Sequence, residues 1–136
     1  MSDSASNGQT VQQAVATAVP GTVKTDDGVL EAGTQLAGES KSGVTTPEHL
    51  MAAAIAACLQ QAIGIAASTQ EVDASSAQVT GTVVLKSDEE AGYTADFALT
   101  VSGLPAETAE RVLTQAKQLC PFTKALAPAG ITVDLG

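Results

Sequence analysis

The chain is poor in aromatic and in basic residues, and both shortages exclude partners. Its 136 residues include no Trp, one Tyr and two Phe, and 15 acidic residues outnumber six basic ones to give a net charge of −9. Nucleic-acid binding depends on clustered Lys and Arg and on aromatic side chains that stack on bases. We therefore expect no nucleic-acid partner. With so few rings, the core must be filled by close approach of the backbone.

Metal ligands and nucleotide-binding loops are also scarce. His49 is the only histidine, and with two cysteines beside it a closed zinc site lacks ligands. The sequence has no GxGxxG, P-loop or GxSxG motif, so nucleotide binding and serine hydrolase chemistry have no support. We expect no metal and no cofactor. His49 is expected to be partly exposed or to cap a helix, and lining a site is the alternative.

A leader segment and a long hydrophobic run are missing as well. Residues 1–9 contain neither a basic region nor an apolar one, which predicts a disordered tail rather than a signal peptide. Residues 10–136 have the length of a single domain. The longest apolar stretch, residues 50–59, is about half of a membrane span. We therefore expect a cytoplasmic protein without a membrane partner, where a cysteine pair is more often catalytic or redox-active than structural.

The pattern of apolar and turn-forming residues predicts an α+β domain. Strands followed by a helix, and then strands followed by helices, are typical of this class. The predicted elements are a strand meander over residues 10–37 that begins at Thr10 and turns at Gly28, a helix over 46–67, a hairpin of strands 79–85 and 93–101, a helix from Pro105, a short helix after Pro121, and a closing strand over 131–135.

The helix over residues 46–67 has a well-marked start. Thr46 suits the N-cap, Pro47 the first helical position, and Glu48 the positive end of the helix dipole. Residues 51–59 carry no polar side chain on any face, which predicts a helix that is buried all round. A domain this small has trouble surrounding such a helix with its own chain. We therefore predict a homodimer with this helix near its two-fold axis.

The two cysteines occupy different local settings. Cys120 precedes a proline, which disfavours helix at Cys120 and favours a helix start at Pro121, so Cys120 is predicted to be an N-cap. Backbone N–H groups and the helix dipole would lower the pKa of Cys120; the alternative is a structural cysteine that ends the preceding helix. Cys58 lies mid-helix in the apolar run. A buried thiol there has a raised pKa and is inert without a charged neighbour, and the alternative is a small core residue.

Glu48 is the ionisable group on the same helix as Cys58. Ten residues separate them, about 15 Å along the helix axis, so the two cannot touch within one helix. If two such helices cross antiparallel in a dimer, Glu48 of one subunit approaches Cys58 of the other. The alternative is a carboxylate that only complements the helix dipole.

Three segments together resemble the OsmC-like family of organic hydroperoxide resistance and osmotically inducible thiol peroxidases. They are Asp-Gly-Val-Leu at residues 27–30, the run from Thr-Pro-Glu-His-Leu to Ala-Ala-Cys at residues 46–58, and Cys-Pro-Phe-Thr-Lys-Ala-Leu at residues 120–126. The likeness extends over almost the whole chain from about residue 12. It implies an intertwined homodimer in which curved antiparallel sheets enclose long central helices, with sites at the subunit interface.

The resemblance also implies a chemistry. Cys58 would be the peroxidatic thiol, Cys120 the resolving thiol, and Glu48 a carboxylate that helps orient the site. Cys58 would reduce an organic hydroperoxide to its alcohol, become a sulfenic acid, and condense with Cys120 to a Cys58–Cys120 disulfide. A dithiol reductant of the lipoyl type would then reduce this disulfide by exchange. The protein would be a cofactor-free, thiol-dependent peroxidase.

One departure from the family pattern concerns its arginine. The organic hydroperoxide branch carries an arginine before the Asp-Gly-Val-Leu turn, whereas here Lys24 is the only cation in residues 14–30 and the sole arginine is Arg111. Lys24 would replace it without the planar bidentate fork. Lys124, one turn behind Cys120 as in the osmotically inducible branch, would support the thiolate, or is a surface lysine. The second hypothesis is therefore a catalytically weak relative that binds apolar small molecules or senses oxidation at the dimer interface.

Overall fold

The computed structural model describes residues 8–136 and divides the chain into two compact units. The first is Met1–Thr46 and the second is Pro47–Gly136. Most of the tail predicted for residues 1–9 lies outside the described residues, and residues 8 and 9 are exposed and irregular. The single domain over residues 10–136 stays a prediction, and each unit is described by itself.

The first unit is a three-stranded antiparallel meander, as predicted. Its strands are β1 (Ala16–Val19), β2 (Thr22–Thr25) and β3 (Glu31–Gly33), hydrogen-bonded in that order. The prediction that β1 begins at Thr10 is wrong, because β2 offers only four residues to pair with and the register ends at Ala16 opposite Thr25.

The turn between β2 and β3 is built around Gly28, as the sequence predicts. Gly28 has a φ of +75°, which a residue with a side chain rarely adopts. The carboxylate of Asp27 accepts hydrogen bonds from the Thr25 hydroxyl at 2.6 Å and the Val29 backbone N–H at 3.0 Å. These two bonds hold the pKa of Asp27 below its usual value.

The second unit contains the helices and a second three-stranded sheet. Its elements in chain order are α1 (Pro47–Thr69), β4 (Gln78–Asp88), β5 (Gly92–Ser102), α2 (Ala109–Leu119), α3 (Pro121–Leu126), a 3₁₀ turn (Ala127–Ala129) and β6 (Thr132–Leu135). β4 and β5 form the predicted hairpin, and β6 pairs parallel with β5. A parallel neighbour needs a crossover connection, and here α2 and α3 provide it. The two sheets and the helices confirm the α+β class.

The start of α2 differs from the prediction. The helix begins at Ala109 rather than at Pro105, because the intervening residues form a turn in which the Thr108 N–H and hydroxyl both donate to the Pro105 carbonyl. Proline is favoured both at position i+1 of a β-turn and at the first position of a helix, and the sequence alone does not distinguish the two. The predicted helix start is therefore four residues too early.

The core lies between one face of α1, the sheet of β4, β5 and β6, and α2. The fully buried members include Ile55, Leu59, Ile63, Leu99, Val101 and Val112. Gly81 on β4 shows how the helix comes so close to the sheet, since a Cβ at this position would lie 2.5 Å from the Ala52 carbonyl oxygen. The expectation that close backbone approach replaces large rings is confirmed here.

The opposite face of α1 is exposed in the single chain. In the second unit β4, α2 and α3 pack against one side only, as expected for a domain too small to surround this helix, and burial on all sides in a dimer stays a prediction. The exposed positions are mostly small, and Ile65 among them is 57% exposed. By length and composition α1 is also apolar enough to cross a membrane, a test that core helices of globular proteins pass as well. The exposed residues from the second turn of α1 onward are Ala53, Ala54, Ala57, Gln60, Gln61, Gly64, Ile65, Ser68 and Thr69.

Candidate functional site

The two cysteines, 62 positions apart in the sequence, meet in the fold. Their sulfur atoms lie 3.3 Å apart and both thiols are free. Cys58 comes from the middle of α1, and Cys120 from the junction of α2 and α3. The contact on which a redox pair depends is therefore present within the second unit.

Cys120 is the N-cap of α3, as the sequence predicts. Its backbone is extended, Pro121 is the first helical residue, and the Cys120 sulfur accepts hydrogen bonds from Thr123. The Thr123 backbone N–H lies 3.4 Å from the sulfur and the Thr123 hydroxyl 3.0 Å. Cys120 also ends α2, donating its N–H to the Ala116 carbonyl. Cys120 is thus both the N-cap of α3 and the residue that ends α2, and the choice between an activated and a structural cysteine stays a prediction.

Cys58 is less buried than the sequence predicts, and Cys120 is the more enclosed of the two thiols. Cys120 has no exposed surface, whereas Cys58 is only partly buried. The Cys120 thiol donates to the Cys58 sulfur. Partial burial raises the pKa of Cys58 above its usual value, a hydrogen bond from the Phe122 backbone opposes this, and the neighbouring Cys120 adds to the increase. A mid-helix thiol without a charged neighbour was expected to behave in this way.

Glu48 lies in a separate pocket at the start of α1. Ten residues of helix place it about 15 Å from Cys58 along the axis, so the structure does not bring the two together within one chain. The Oε1 atom of Glu48 is buried and has no hydrogen-bond partner among the described residues. It lines a cavity of about 210 Å³ together with Ala52, Gly81 and Thr82. A buried carboxylate oxygen without a donor is costly, which points to a partner outside these contacts.

The single histidine lies beside this carboxylate. His49 is exposed, as predicted, and it lines the same cavity as Glu48. Within residues 8–136, no group of three or more His, Cys, Asp or Glu side chains is placed to hold a metal ion.

The two lysines proposed to support the thiolate belong to different units of the chain. Lys24 lies exposed on β2, opposite Glu31 of β3, and so belongs to the first unit. Lys124 is exposed on α3, where it lines a cavity of about 510 Å³ with Lys117 and Thr123.

The sole arginine is engaged at the far end of α1. The Arg111 Nε donates to the Gln70 side-chain oxygen at 2.7 Å. Gln70 follows Cys58 by twelve residues, about 18 Å along the helix axis. Arg111 therefore does not replace the arginine that the organic hydroperoxide branch carries before its Asp-Gly-Val-Leu turn.

Sequence reasoning missed Thr123 as a member of the site. Its hydroxyl and its backbone N–H both reach Cys120, and the residue is 7% exposed. A signal was available, because an N-cap side chain accepts from the N–H two or three residues further on. Counting three positions from Cys120 leads to Thr123.

Comparison with known sequences identifies the family of the chain. A sequence model of the OsmC-like protein family matches residues 38–136. The chain is 34% identical over 110 residues to organic hydroperoxide resistance protein OhrB of Bacillus subtilis, a match that covers 77% of this chain and 80% of that protein. It is 33% identical over 84 residues to organic hydroperoxide resistance protein-like 2 of Staphylococcus epidermidis, of whose length the match covers 59%.

Comparison with solved structures finds the same fold in proteins of this family. The fold superposes with a TM-score of 0.84 on a Vibrio cholerae protein assigned to organic hydroperoxide resistance, with captopril bound in one of its active sites. The two share 32% identity, over 95% of this chain and 94% of that one. The OhrB structure of Bacillus subtilis gives a TM-score of 0.69 at 29% identity, over 90% of this chain and 94% of that one.

Proposed function

The chain belongs to the OsmC-like protein family, and from this premise we propose that it is a cysteine-based peroxidase of organic hydroperoxides. The observation that carries the proposal is the 3.3 Å separation of the Cys58 and Cys120 sulfurs. The relatives named for organic hydroperoxide resistance support the substrate class.

The first half of the proposed reaction belongs to Cys58. Its thiolate attacks the terminal oxygen of ROOH, the O–O bond breaks, and the alkoxide leaves and takes up a proton as the alcohol. Cys58 becomes a sulfenic acid. The partial exposure of Cys58 favours it as the attacking thiol, since Cys120 offers no surface to a substrate.

The second half joins the two sulfurs. Cys120 attacks the Cys58 sulfenic acid, a disulfide forms, and the oxygen leaves as water. The sulfurs need to approach from 3.3 Å to the disulfide length of about 2.05 Å, a small movement. A dithiol, of the lipoyl type in this proposal, then returns both cysteines to thiols by exchange.

The proposed functional form is a homodimer built along α1. The exposed face of α1 includes Ala53, Ala57 and Gly64, whose small size allows two helices to approach closely, and the apolar Ile65, which such a contact would cover. The unpartnered Oε1 of Glu48 gives a second reason, since an antiparallel partner helix would bring Glu48 to Cys58 of the other subunit. Sedimentation at micromolar concentration is expected to give a dimer, and a stable monomer would contradict the arrangement.

The function is tested by peroxide consumption with a dithiol and cumene hydroperoxide. We expect Cys58→Ser to lose at least about 100-fold in turnover, because the nucleophile is gone. Cys120→Ser is the matched control: it keeps Cys58, and with the dithiol left out we expect it to consume one equivalent of peroxide and accumulate a sulfenic acid that dimedone traps. Equal turnover in Cys58→Ser and the unaltered protein would overturn the proposal.

A second candidate is a catalytically weak relative that binds apolar small molecules or senses oxidation. The raised pKa of Cys58, in a chain without arginine in residues 14–30, favours it. No peroxide turnover with any dithiol, together with saturable binding of an apolar ligand, would support this candidate over the peroxidase.

A further inference from the structure

The contacts around the cysteine pair are strongly asymmetric. Thr123 directs two donors, its hydroxyl and its backbone N–H, to the Cys120 sulfur at 3.0 and 3.4 Å. The Cys120 thiol in turn donates to Cys58. A short line of hydrogen bonds therefore runs from Thr123 through Cys120 to Cys58. The Thr123 hydroxyl hydrogen-bonds the sulfur of Cys120, which lies between Thr123 and Cys58 in this line.

Access to the two sulfurs is asymmetric in the opposite sense. Cys58 is partly exposed and Cys120 is fully enclosed. The 510 Å³ cavity between α2 and α3 is lined by Thr123 and two lysines but by neither Cys120 nor Cys58. A thiol that enters this cavity meets the Thr123 side chain instead of the sulfur.

We propose that Thr123 is a positioning residue that makes Cys120 the leaving sulfur, so that an incoming thiol opens the Cys58–Cys120 disulfide at Cys58. The inference rests on the disulfide of the proposed function. The thiolate of the reductant bonds to the Cys58 sulfur, the S–S bond breaks, and its electron pair goes to Cys120. The second thiol of a dithiol then attacks the reductant sulfur that is bonded to Cys58, which closes the reductant's own disulfide and releases Cys58 as a thiol.

Two physical effects give this direction. Thiol–disulfide exchange depends on which sulfur the nucleophile can reach and on how well the departing thiolate is stabilised. Exposure selects Cys58 as the sulfur that is reached. The two Thr123 donors are already aimed at Cys120, and hydrogen bonds to a charged acceptor are stronger than those to a neutral one. Access and leaving-group stabilisation therefore act together.

The first test maps the attacked sulfur in the unaltered full-length protein. Diamide, an oxidant of thiols, forms the disulfide, and an excess of the monothiol N-acetylcysteine is then added and quenched with acid. We expect peptide mass spectrometry to find N-acetylcysteine on Cys58 in at least about nine of ten mixed disulfides. An equal distribution, or a preference for Cys120, would overturn the inference.

The second test separates the hydroxyl of Thr123 from its bulk. Thr123→Val keeps the shape and removes the hydroxyl, whereas Thr123→Ser keeps the hydroxyl and removes the methyl group. We expect dithiothreitol to open the disulfide about 5- to 10-fold more slowly in Thr123→Val and within about twofold of the unaltered rate in Thr123→Ser. Unchanged opening in Thr123→Val, or equal slowing in both variants, would contradict a positioning role for the hydroxyl.

The tests remain informative if the peroxidase proposal fails. Diamide makes the disulfide without peroxide, so absence of peroxide turnover leaves both measurements intact. Should Thr123→Val not fold, Thr123→Ala, which also lacks the hydroxyl, replaces it in the dithiothreitol measurement, and the N-acetylcysteine distribution in the unaltered protein still decides whether Cys58 is the attacked sulfur. Failure of diamide to join Cys58 and Cys120 would overturn it outright.

Discussion

Two polar regions of α1 differ in whether their hydrogen bonds are made within the chain. At the middle of α1, Cys58 accepts from Cys120, which accepts from Thr123, so the thiols are satisfied by their own unit. At the start of α1, Glu48 has a buried oxygen that no described residue hydrogen-bonds. The hydrogen bonds of the two thiols are therefore made within one chain, whereas that of the Glu48 oxygen is not.

The largest expected effect tests whether the thiol region is complete but not activated. Because burial raises the pKa of Cys58, its thiolate fraction at neutral pH is below that of an ordinary cysteine. We expect alkylation of Cys58 by iodoacetamide to rise about 100-fold from pH 7 to pH 9, about tenfold per unit below the pKa. Mass spectrometry of the Cys58 peptide measures this, and Cys58→Ser gives the background. A plateau below pH 7 would show that a cation activates Cys58.

The next effect concerns the wall of the carboxylate pocket. Gly81→Ala places a Cβ 2.5 Å from the Ala52 carbonyl oxygen, and we expect the free energy of unfolding to fall by about 1–3 kcal/mol in urea titrations.

Gly64→Ala is the matched control for this substitution. Nothing lies within 4 Å of its added Cβ in the single chain, and alanine in a helix gains up to about 1 kcal/mol over glycine. Destabilisation of both variants would instead indicate that Gly64 is packed in an assembly. A neutral Gly81→Ala would show that α1 and β4 are looser than described.

A smaller effect is expected from neutralising the unpartnered carboxylate. If another subunit supplies the missing donor, Glu48→Gln should lower peroxidase turnover by about tenfold and slightly destabilise the dimer. Glu110→Gln is the control, since Glu110 is also in the first turn of a helix and is exposed. Higher stability of Glu48→Gln without loss of turnover would mean that the oxygen is orphaned in solution too.

The smallest effect comes from a carboxylate whose hydrogen bonds are already made. The pKa of Asp27 is lowered by the Thr25 hydroxyl and the Val29 N–H, so its stabilising contribution is present above the usual aspartate pKa of 3.8 and is lost as the pH falls through the folded value. We expect Asp27→Asn to flatten the decline of melting temperature between pH 5 and pH 3 slightly. An unchanged slope would mean that the turn contributes nothing at equilibrium.

The sequence predicted what depends on neighbouring residues. The start of α1 at Pro47 and the N-cap at Cys120 follow from capping preferences within one turn, and both are present. What it could not predict depends on distant packing. Whether Cys58 or Cys120 is the more enclosed is decided by how α2 and α3 fold back onto α1, some sixty residues later in the chain.

The exposure of one face of α1 also depends on packing that the sequence does not show. An apolar sequence shows that a helix avoids water, but it does not show whether the same chain or another copy covers each side. Ile65 is therefore apolar in the sequence and more than half exposed in one chain. The strand β1 was overestimated for a related reason, since its length is set by its partner β2.

The 62-residue separation of Cys58 and Cys120 also affects resistance to unfolding. Closing a loop of that size with a covalent bond restricts the denatured chain, by about 4 kcal/mol in the chain-entropy treatment. The bond would enclose the second half of α1, the whole β4–β5 hairpin and α2. A molecule that has given two electrons to a peroxide and holds the disulfide would thus be the form more resistant to unfolding, and each reduction by a dithiol would return it to a more readily denatured state.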